Sequence, residues 1–314
     1  MLTERPGERN HEFGASGDGS RALAVRLGEP ISVCTIPSMN RATSQVDGLT
    51  RVELFGLDFV DDTSIDRVAD LVLNSTPSEV EGHPVIVTPN TDLLLQVVKT
   101  PDTRIREFFA KAWCVLPDGQ PIVWASRVLG APLRFRLTGS DLFARLWPRL
   151  VARATPVFVL APSAAVASGL EASNAAAATL VAPMLDAASR PDLVALATQC
   201  VAEITAIVAQ VVILSLGHPK DVMLADEILQ QLDATSTALP FILCLGGSAE
   251  MFLGIRKRAP IWVQRCSAEW LYRFAQEPRR LFWRYFVRDS GFIPLVWREY
   301  QAQKRRNAAP GRAA

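Results

Sequence analysis

The sequence predicts an α/β protein: a doubly wound, mostly parallel sheet with a C-terminal helical basic appendage. Three observations predict it. From Val52 onward, short apolar runs alternate with amphipathic ones, as strands alternate with helices. Two late runs, "QVVILSL" and "PFILCL", are apolar almost throughout, as strands buried on both faces of a parallel sheet must be. After Gly254 the composition changes. Residues 255–314 carry 14 lysines and arginines against 4 acidic residues, a balance of +10, leaving 19 basic and 28 acidic residues elsewhere.

In chain order, residues 1–50 are rich in Gly, Ser, Arg and Glu and lack periodicity, so they are expected to form a mobile tail. A short ordered arm at "AVRLGEPISVCTI" is the alternative. "VELFGLDFV" reads as the first strand and "SIDRVADLVL" as the first helix. "PVIVT" is a strand, and Asn90 or Thr91 suits the N-cap of the helix after it. "TRIREFFAKA" is helical and "WCVL" is a strand. The following Pro117-Asp118-Gly119 has ordinary turn chemistry, with Gly119 making the turn. "GSDLFARLW", "PDLVALATQCVAEITAIV" and "KDVMLADEILQQL" are helices, and "PVFVL", "TLVA", "QVVILSL" and "PFILCL" are strands. The core then spans 51–254 and the appendage 255–314. Within the appendage, "PRRLFWRYFVRD" opens with proline at a first-turn position. Leu281, Phe282, Tyr285 and Phe286 share one helical arc, beside an Arg280, Arg284, Arg288 stripe. Such a helix either lies in a lipid interface or packs on the core with solvated arginines.

The totals exclude several classes. With 49% hydrophobic and 21% charged residues over 314 positions, the chain is globular rather than disordered. No secretory signal pattern opens it. Its longest apolar run, Ile207 to Leu216, falls short of the ~20 residues a membrane-spanning helix needs. Five scattered cysteines without a C-x-x-C fit reduced, mostly buried thiols in the cytoplasm. The three histidines are far apart, so no His/Cys metal spacing exists. A Walker-type phosphate loop, a G-x-G-x-x-G after a strand, a nucleophile elbow and an Asp-x-Asp after a strand are all missing.

In open α/β sheets, ligands bind outside the carboxyl ends of the strands. Thr88 to Asn90, Asp118 and Gly217 to Lys220 each follow a predicted strand directly, so they can line one crevice. Gly246 and Gly247, ahead of Ser248, could let a main chain approach a phosphate or merely form a tight turn. Lys220 suits a phosphate as a mobile point charge. His218 reads as a loop histidine rather than a catalyst.

Five blocks occur in order: "VTPNTDLLL", "LPDGQPIVWASRVLG", "RLTGSDLF", "LSLGHPKD" and "KRAPIWVQRCSAEWLYRFAQEPRRLFWRY". Together, over roughly Val52 to Tyr285, they resemble the WecG/TagA/CpsF family of bacterial glycosyltransferases. The last block is the most specific, because no general fold rule demands that string. The resemblance implies a Rossmann-like core with a membrane-associating appendage. It also implies a metal-independent inverting hexosyltransferase with no cofactor. Its substrates would be a UDP-sugar donor and a polyprenyl-diphosphate-linked acceptor, used in cell-surface polysaccharide synthesis. Its place would be the cytoplasmic face of the bacterial plasma membrane, on an anionic surface.

Carried over residue by residue, the resemblance makes Asp118 the base and Thr88 and Asn90 polar groups of the pocket. Arg136, with Gly139 and Asp141, matches the block before the next helix. Lys220 matches the lysine of the family's Pro-Lys-Gln-Glu string. Arg258, Arg273, Arg279, Arg280 and Arg284 supply appendage cations. The chain departs from the family at Asp221-Val222, Ala249-Glu250, Ala161-Pro162 and Pro183-Met184. Asp221, where the family has glutamine, would bring negative charge to the nucleotide side, beside Gly217, Gly246, Gly247 and Glu250, and weaken diphosphate binding there. Those departures also motivate an alternative: a non-catalytic relative that binds a lipid-linked glycan or a partner glycosyltransferase. Nucleic-acid binding is not expected, since the aromatics follow helical spacing and no nucleic-acid fold is evident. An exposed apolar appendage would favour a homo-oligomer in the absence of lipid.

Overall fold

A computed structural model of the chain describes residues 48–62, 64–100, 102–184, 189–235, 237–256, 272 and 289–308. Its strands are β1 (Arg51–Leu54), β2 (Leu57–Val60), β3 (His83–Val87), β4 (Ala112–Val115), β5 (Val157–Ala161), β6 (Ala177–Val181), β7 (Val211–Leu214) and β8 (Phe241–Cys244). They form one sheet in the order β1-β2-β4-β3-β8-β7-β5-β6. Every pairing is parallel except that of β1 with β2. The helices are α1 (Ile65–Asn74), α2 (Thr91–Lys99), α3 (Thr103–Lys111), α4 (Gln120–Val128), α5 (Gly139–Ala152), α6 (Ala164–Ser173), α7 (Arg190–Ala206), α8 (Lys220–Ala234) and α9 (Ser248–Phe252). A C-terminal helix spans Phe292–Ala308.

The doubly wound arrangement explains the apolar strands. Successive strand side chains point to opposite faces, and here both faces are covered. Val85, Val87, Val212, Leu214, Ile242 and Cys244 join a core with α2, α3, α4, α7 and α8. Ile86, Val159, Val211, Ile213, Leu243 and Leu245 join a second core with α1, α5, α6 and α9. The second core holds Trp147, stacked on Phe143 at a centroid distance of 5.4 Å, with its indole N–H donated to Ser173 Oγ at 3.0 Å. A buried indole thereby keeps its polar end satisfied.

"VELFGLDFV" is not one strand. It is a hairpin in which Leu54 pairs with Leu57 across Phe55 and Gly56. Phe55 (φ 56°) and Gly56 (φ 76°) both lie in the left-handed region, as a tight hairpin turn of right-handed strands requires. Gly56 meets that demand without a Cβ clash. Phe55 does not, but its ring is buried and lies 6.0 Å from the Phe292 ring of the C-terminal helix. Helices α4, α6 and α9 also go beyond the helices read from periodicity. The N-terminal tail up to residue 47 and the helix expected at "PRRLFWRYFVRD" lie outside the described residues, apart from Asp289, while Leu49 at the end of that tail is buried in the second core.

Candidate active site

Strands β4, β3, β8 and β7 are adjacent and parallel, so their carboxyl ends open on the same edge of the sheet. The loops that leave them carry Asp118, Thr88 to Asn90, Gly246 to Ser248 and Gly217 to Lys220. Cross-links hold these loops together. The Leu116 N–H donates to Val87 O at 2.9 Å and the Asp118 N–H to Pro89 O at 3.2 Å. Leu137 N–H, just ahead of α5, donates to Pro117 O at 3.1 Å. That segment, which carries half-buried Arg136, is also anchored behind. Arg134 gives its N–H and Nε–H to Asp61 at 2.8 and 2.9 Å, where β2 ends.

Thr88 sits at the centre, 2% exposed, with its hydroxyl donated to Cys244 O at 3.3 Å. The first residue of α5, Gly139, packs onto it. A Cβ there would lie 3.2 Å from Thr88 Oγ1 and 3.3 Å from Ser248 Oγ. Glycine is favoured here because three segments approach one point, not because of its φ. Thr138 caps α5, accepting from Asp141 N–H at 3.1 Å and donating to Asp141 Oδ2 at 2.7 Å. Asn90 caps α2 through Oδ1, which accepts from Leu93 N–H at 3.0 Å.

Gly119 makes no turn. Its φ of 166° is extended, and it is the N-cap of α4, which begins with Gln120 and Pro121. Proline in that first turn costs no hydrogen bond. Asp118 is therefore the last residue before the helix cap, half-buried at the strand edge rather than inside a turn.

Two sequence expectations change on the β7 side. Asp221 faces no solvent and so cannot meet a diphosphate directly; its carboxylate is fully buried. Asp221 Oδ1 lies 2.8 Å from His218 Nδ1 and accepts from Val222 N–H at 3.0 Å. His218 is more than a loop histidine: its side chain is 14% exposed and it interacts with Asp118 and the Thr88 main chain. Burial disfavours its charged form, but the Asp221 carboxylate, then Asp118 and the Thr88 main chain, outweigh that. Its pKa is raised above the ordinary histidine value. The signal was the i, i+3 spacing of His218 and Asp221 in "GHPKD", which only a helix start turns into contact.

Gly217 (φ 82°) and Gly246 (φ 55°) adopt left-handed backbone, and a Cβ on Gly246 would lie 3.7 Å from Gly217 Cα. Lys220 is the half-buried first residue of α8. Glu250 reaches an ion pair with Arg256 at 3.8 Å, and both side chains crowd Gly247. Of the expected binding groups, Arg258, Arg273, Arg279, Arg280 and Arg284 lie outside the described residues. Among the described residues, no three of His, Cys, Asp and Glu gather as metal ligands. A groove of about 460 Å³ between α2, α3 and α8 is walled by Leu93, Leu95, Val97, Ile105 and Met223. Its lining reaches Pro219 but includes neither Asp118 nor Thr88, so the polar loop cluster, where titratable groups converge, is the better site.

The family model described as glycosyl transferase, WecG/TagA/CpsF family, matches residues 52–306. The chain is also 28% identical over 247 residues to the N-acetylglucosaminyldiphosphoundecaprenol N-acetyl-beta-D-mannosaminyltransferase of Bacillus spizizenii. That match covers 78% of this chain and 90% of that protein. Identity to the Staphylococcus aureus strain MW2 protein of the same description is 24% over 232 residues, covering 74% of this chain and 87% of that one.

Proposed function

This chain belongs to the WecG/TagA/CpsF family of glycosyltransferases, and from that premise we propose that it transfers a sugar onto a polyprenyl-diphosphate-linked sugar. The donor in this reading is a UDP-sugar and the anomeric centre inverts. The relatives' descriptions, which specify a diphosphoundecaprenol-linked acceptor and a beta product, support this reading. The observation that carries it is the gathering of Asp118, Thr88 and His218 after strands of one parallel run, with Gly139 of α5 packed against Thr88.

The chemistry asks little of any single group. The acceptor hydroxyl oxygen attacks the anomeric carbon, and its proton passes to the Asp118 carboxylate. The bond from that carbon to the nucleoside diphosphate breaks, and the electron pair leaves on the diphosphate oxygen. Positive groups must meet that charge. In this reading Arg136 and Lys220 do so from the core, and Arg258, Arg273, Arg280 and Arg284 from the appendage, with no metal ion required. Arginine suits the task because its planar fork pairs with phosphate through two hydrogen bonds. Thr88 and Asn90 order the pocket rather than exchange protons, since the structure engages both side chains in main-chain hydrogen bonds.

The proposed place of work is a membrane surface. Among the described residues, no helix is long and apolar enough to cross a bilayer. The C-terminal helix exposes Ile293 (77%) and Trp297 (60%) one turn apart, beside Arg298, Lys304 and Arg305. An apolar stripe flanked by cations suits the interface of an anionic bilayer.

A non-catalytic, glycan-binding relative is the second reading. The Glu250–Arg256 pair crowding Gly247 favours it, because both side chains stand where a diphosphate would approach that main chain. Calorimetry separates the readings. UDP binding that is lost on Arg136→Ala supports transfer, and the absence of any UDP binding supports the second reading.

A further inference from the structure

We infer that the outward face of α4, with Phe135 on the segment after it, is a membrane-docking surface: it takes an anionic lipid headgroup layer and holds the mouth of the site against the bilayer. The inference rests on the reading of the acceptor as a lipid-linked sugar.

Helix α4 is covered on one side only. Ile122, Val123, Ala125 and Ser126 are buried. Pro121, Trp124, Arg127 and Val128 fall within an arc of about 120° on the other side, and all four are exposed. Trp124 is 49% and Val128 61% exposed. Single exposed apolar side chains are ordinary on a protein surface. Here two of them stand one turn apart beside a proline, and a third follows. Phe135, 46% exposed, is presented by a held segment. The chain folds back on α4, with Ala131 N–H donated to Ser126 O at 3.0 Å and Leu133 N–H to Ser126 Oγ at 2.9 Å. Leu133 and Leu137 are buried on either side of Phe135. Arg134 is tied to Asp61, and Leu137 N–H to Pro117 O. These anchors fix the main chain that turns the Phe135 ring to the outside.

Charge selects the occupant. Residues 119–138 contain three arginines and no acidic residue. Arg134 is compensated by Asp61 at 2.9 Å. Arg127 on α4 and Arg136 beside Phe135 bring the other two charges. Tryptophan and phenylalanine at the water boundary, set among arginines, suit a headgroup layer of negative charge. A second copy on this face would set arginine toward arginine about a two-fold axis, where like charges repel.

Position favours the same occupant. Helix α4 begins two residues after Asp118, so a surface resting on it lies beside the candidate base. Ile122, Val123 and Leu129 of α4 join the same core as Phe292 of the C-terminal helix. Both helices thus cover one face of the sheet. Their exposed side chains, Trp124 and Val128 on one and Ile293 and Trp297 on the other, look away from that face. A lipid-linked sugar stands off its bilayer by little more than its diphosphate, so the bilayer has to come to the site.

The test uses the full chain, with vesicles of phosphatidylcholine alone and of phosphatidylcholine mixed with phosphatidylglycerol. The wild type is expected to bind the mixed vesicles and to release them at high salt, which screens surface charge. Trp124→Ser lowers that affinity about tenfold, a small part of what burying an indole yields. Arg127→Gln lowers it about fivefold, the worth of one cation near an anionic headgroup layer. Both positions are exposed, so both variants are expected to unfold at the wild-type temperature. Trp124→Phe keeps the binding but removes part of the fluorescence quenching by brominated lipid, which needs the indole in the bilayer. On a short-chain acceptor free in water, Trp124→Ser transfers sugar at the wild-type rate. Its kcat/KM falls only when the acceptor lies in anionic vesicles. Equal vesicle affinity for wild type, Trp124→Ser and Arg127→Gln overturns the inference, as does equal quenching in wild type and Trp124→Phe. A dimer that Trp124→Ser dissolves without changing vesicle affinity also overturns it, and assigns the face to a second copy. If vesicle binding behaves as expected but no donor yields product, the transferase reading fails while the docking surface stands. If the wild type transfers sugar but no variant changes vesicle binding, the docking surface fails and the transferase reading stands.

Discussion

The backbone N–H of Asp118 donates to the carbonyl of Pro89 at 3.2 Å. This bond ties the exit of β4 to the exit of β3 and sets the candidate base beside the loop that carries Thr88 and Asn90. Because main-chain atoms make the bond, replacement of the Asp118 side chain leaves the frame intact. Thermal unfolding of Asp118 variants, measured beside their rates, separates lost chemistry from lost stability.

Gly139 gives the sharpest steric prediction. A methyl group there would lie 3.2 Å from Thr88 Oγ1 and 3.3 Å from Ser248 Oγ, both on buried side chains. Neither can move freely, since Thr88 is bonded to Cys244 O and Ser248 to Leu245 O. Gly139→Ala is expected to destabilise the fold by about 1–3 kcal/mol, the usual cost of overpacking. Urea unfolding reads this as a lower midpoint at unchanged slope. A variant as stable as the wild type would mean that the three loops approach less closely.

Asn90 tests whether a cap is also a substrate group. Its Oδ1 holds Leu93 N–H at 3.0 Å. Asn90→Ala should cost about 1 kcal/mol, while Asn90→Asp, which caps equally well, should cost almost nothing. If Asn90→Asp keeps both stability and transfer rate, the side chain only caps α2. A stable Asn90→Asp variant that transfers poorly gives it a role in the pocket.

Asp61 is a remote support for Arg136. It accepts from Arg134 N–H at 2.8 Å and Nε–H at 2.9 Å, and its main-chain oxygen accepts from Arg134 Nη2 at 2.7 Å. Asp61→Ala removes the carboxylate that fixes the segment before α5 and leaves the Arg134 main-chain N–H without this acceptor. The expected cost is about 1–3 kcal/mol. Hydrogen exchange should show faster exchange at residues 134–137 than in the wild type. Unchanged exchange there would show that the segment is held by other contacts.

Stability should depend on pH through His218. Its folded pKa is raised, so the native state holds a proton that the unfolded chain releases earlier. That contribution is fully present below the unfolded value of about 6.5 and is lost as pH rises through the folded value. His83 works the other way: burial, and then Lys111, lower its pKa. Protonation of the unfolded chain therefore weakens the fold at low pH. The difference between wild type and His218→Gln isolates the first effect. It should favour the wild type near pH 5.5 and shrink as the pH is raised. A difference independent of pH would mean that His218 has the same pKa in the folded and unfolded chain.

Much of this was legible in the sequence where one rule acted alone. The parallel strands were readable because both faces of the sheet are covered, which makes "QVVILSL" and "PFILCL" almost wholly apolar. The common edge for Thr88, Asp118 and Gly217 to Lys220 followed from their positions after strands. The hairpin at Phe55–Gly56 was not legible, because one of its two left-handed residues is a phenylalanine held by the distant Phe292. Gly119 looked like a turn residue because Pro-Asp-Gly favours turns, yet α4 begins at once and makes it a cap. Asp221 looked like a charge placed against a diphosphate. Only folding shows that its carboxylate points inward, and that the histidine three residues earlier reaches it.

The measurement that tests the central claim most directly compares wild type with Asp118→Asn. Both would be assayed with UDP-N-acetylmannosamine, other UDP-sugars and an N-acetylglucosaminyl-diphosphopolyprenol, with product followed by mass spectrometry. The account predicts glycosylated lipid from the wild type and a rate lower by about 10²–10⁴-fold for Asp118→Asn, the range that general-base catalysis contributes, with the variant still folded. Equal rates for the two proteins would contradict it.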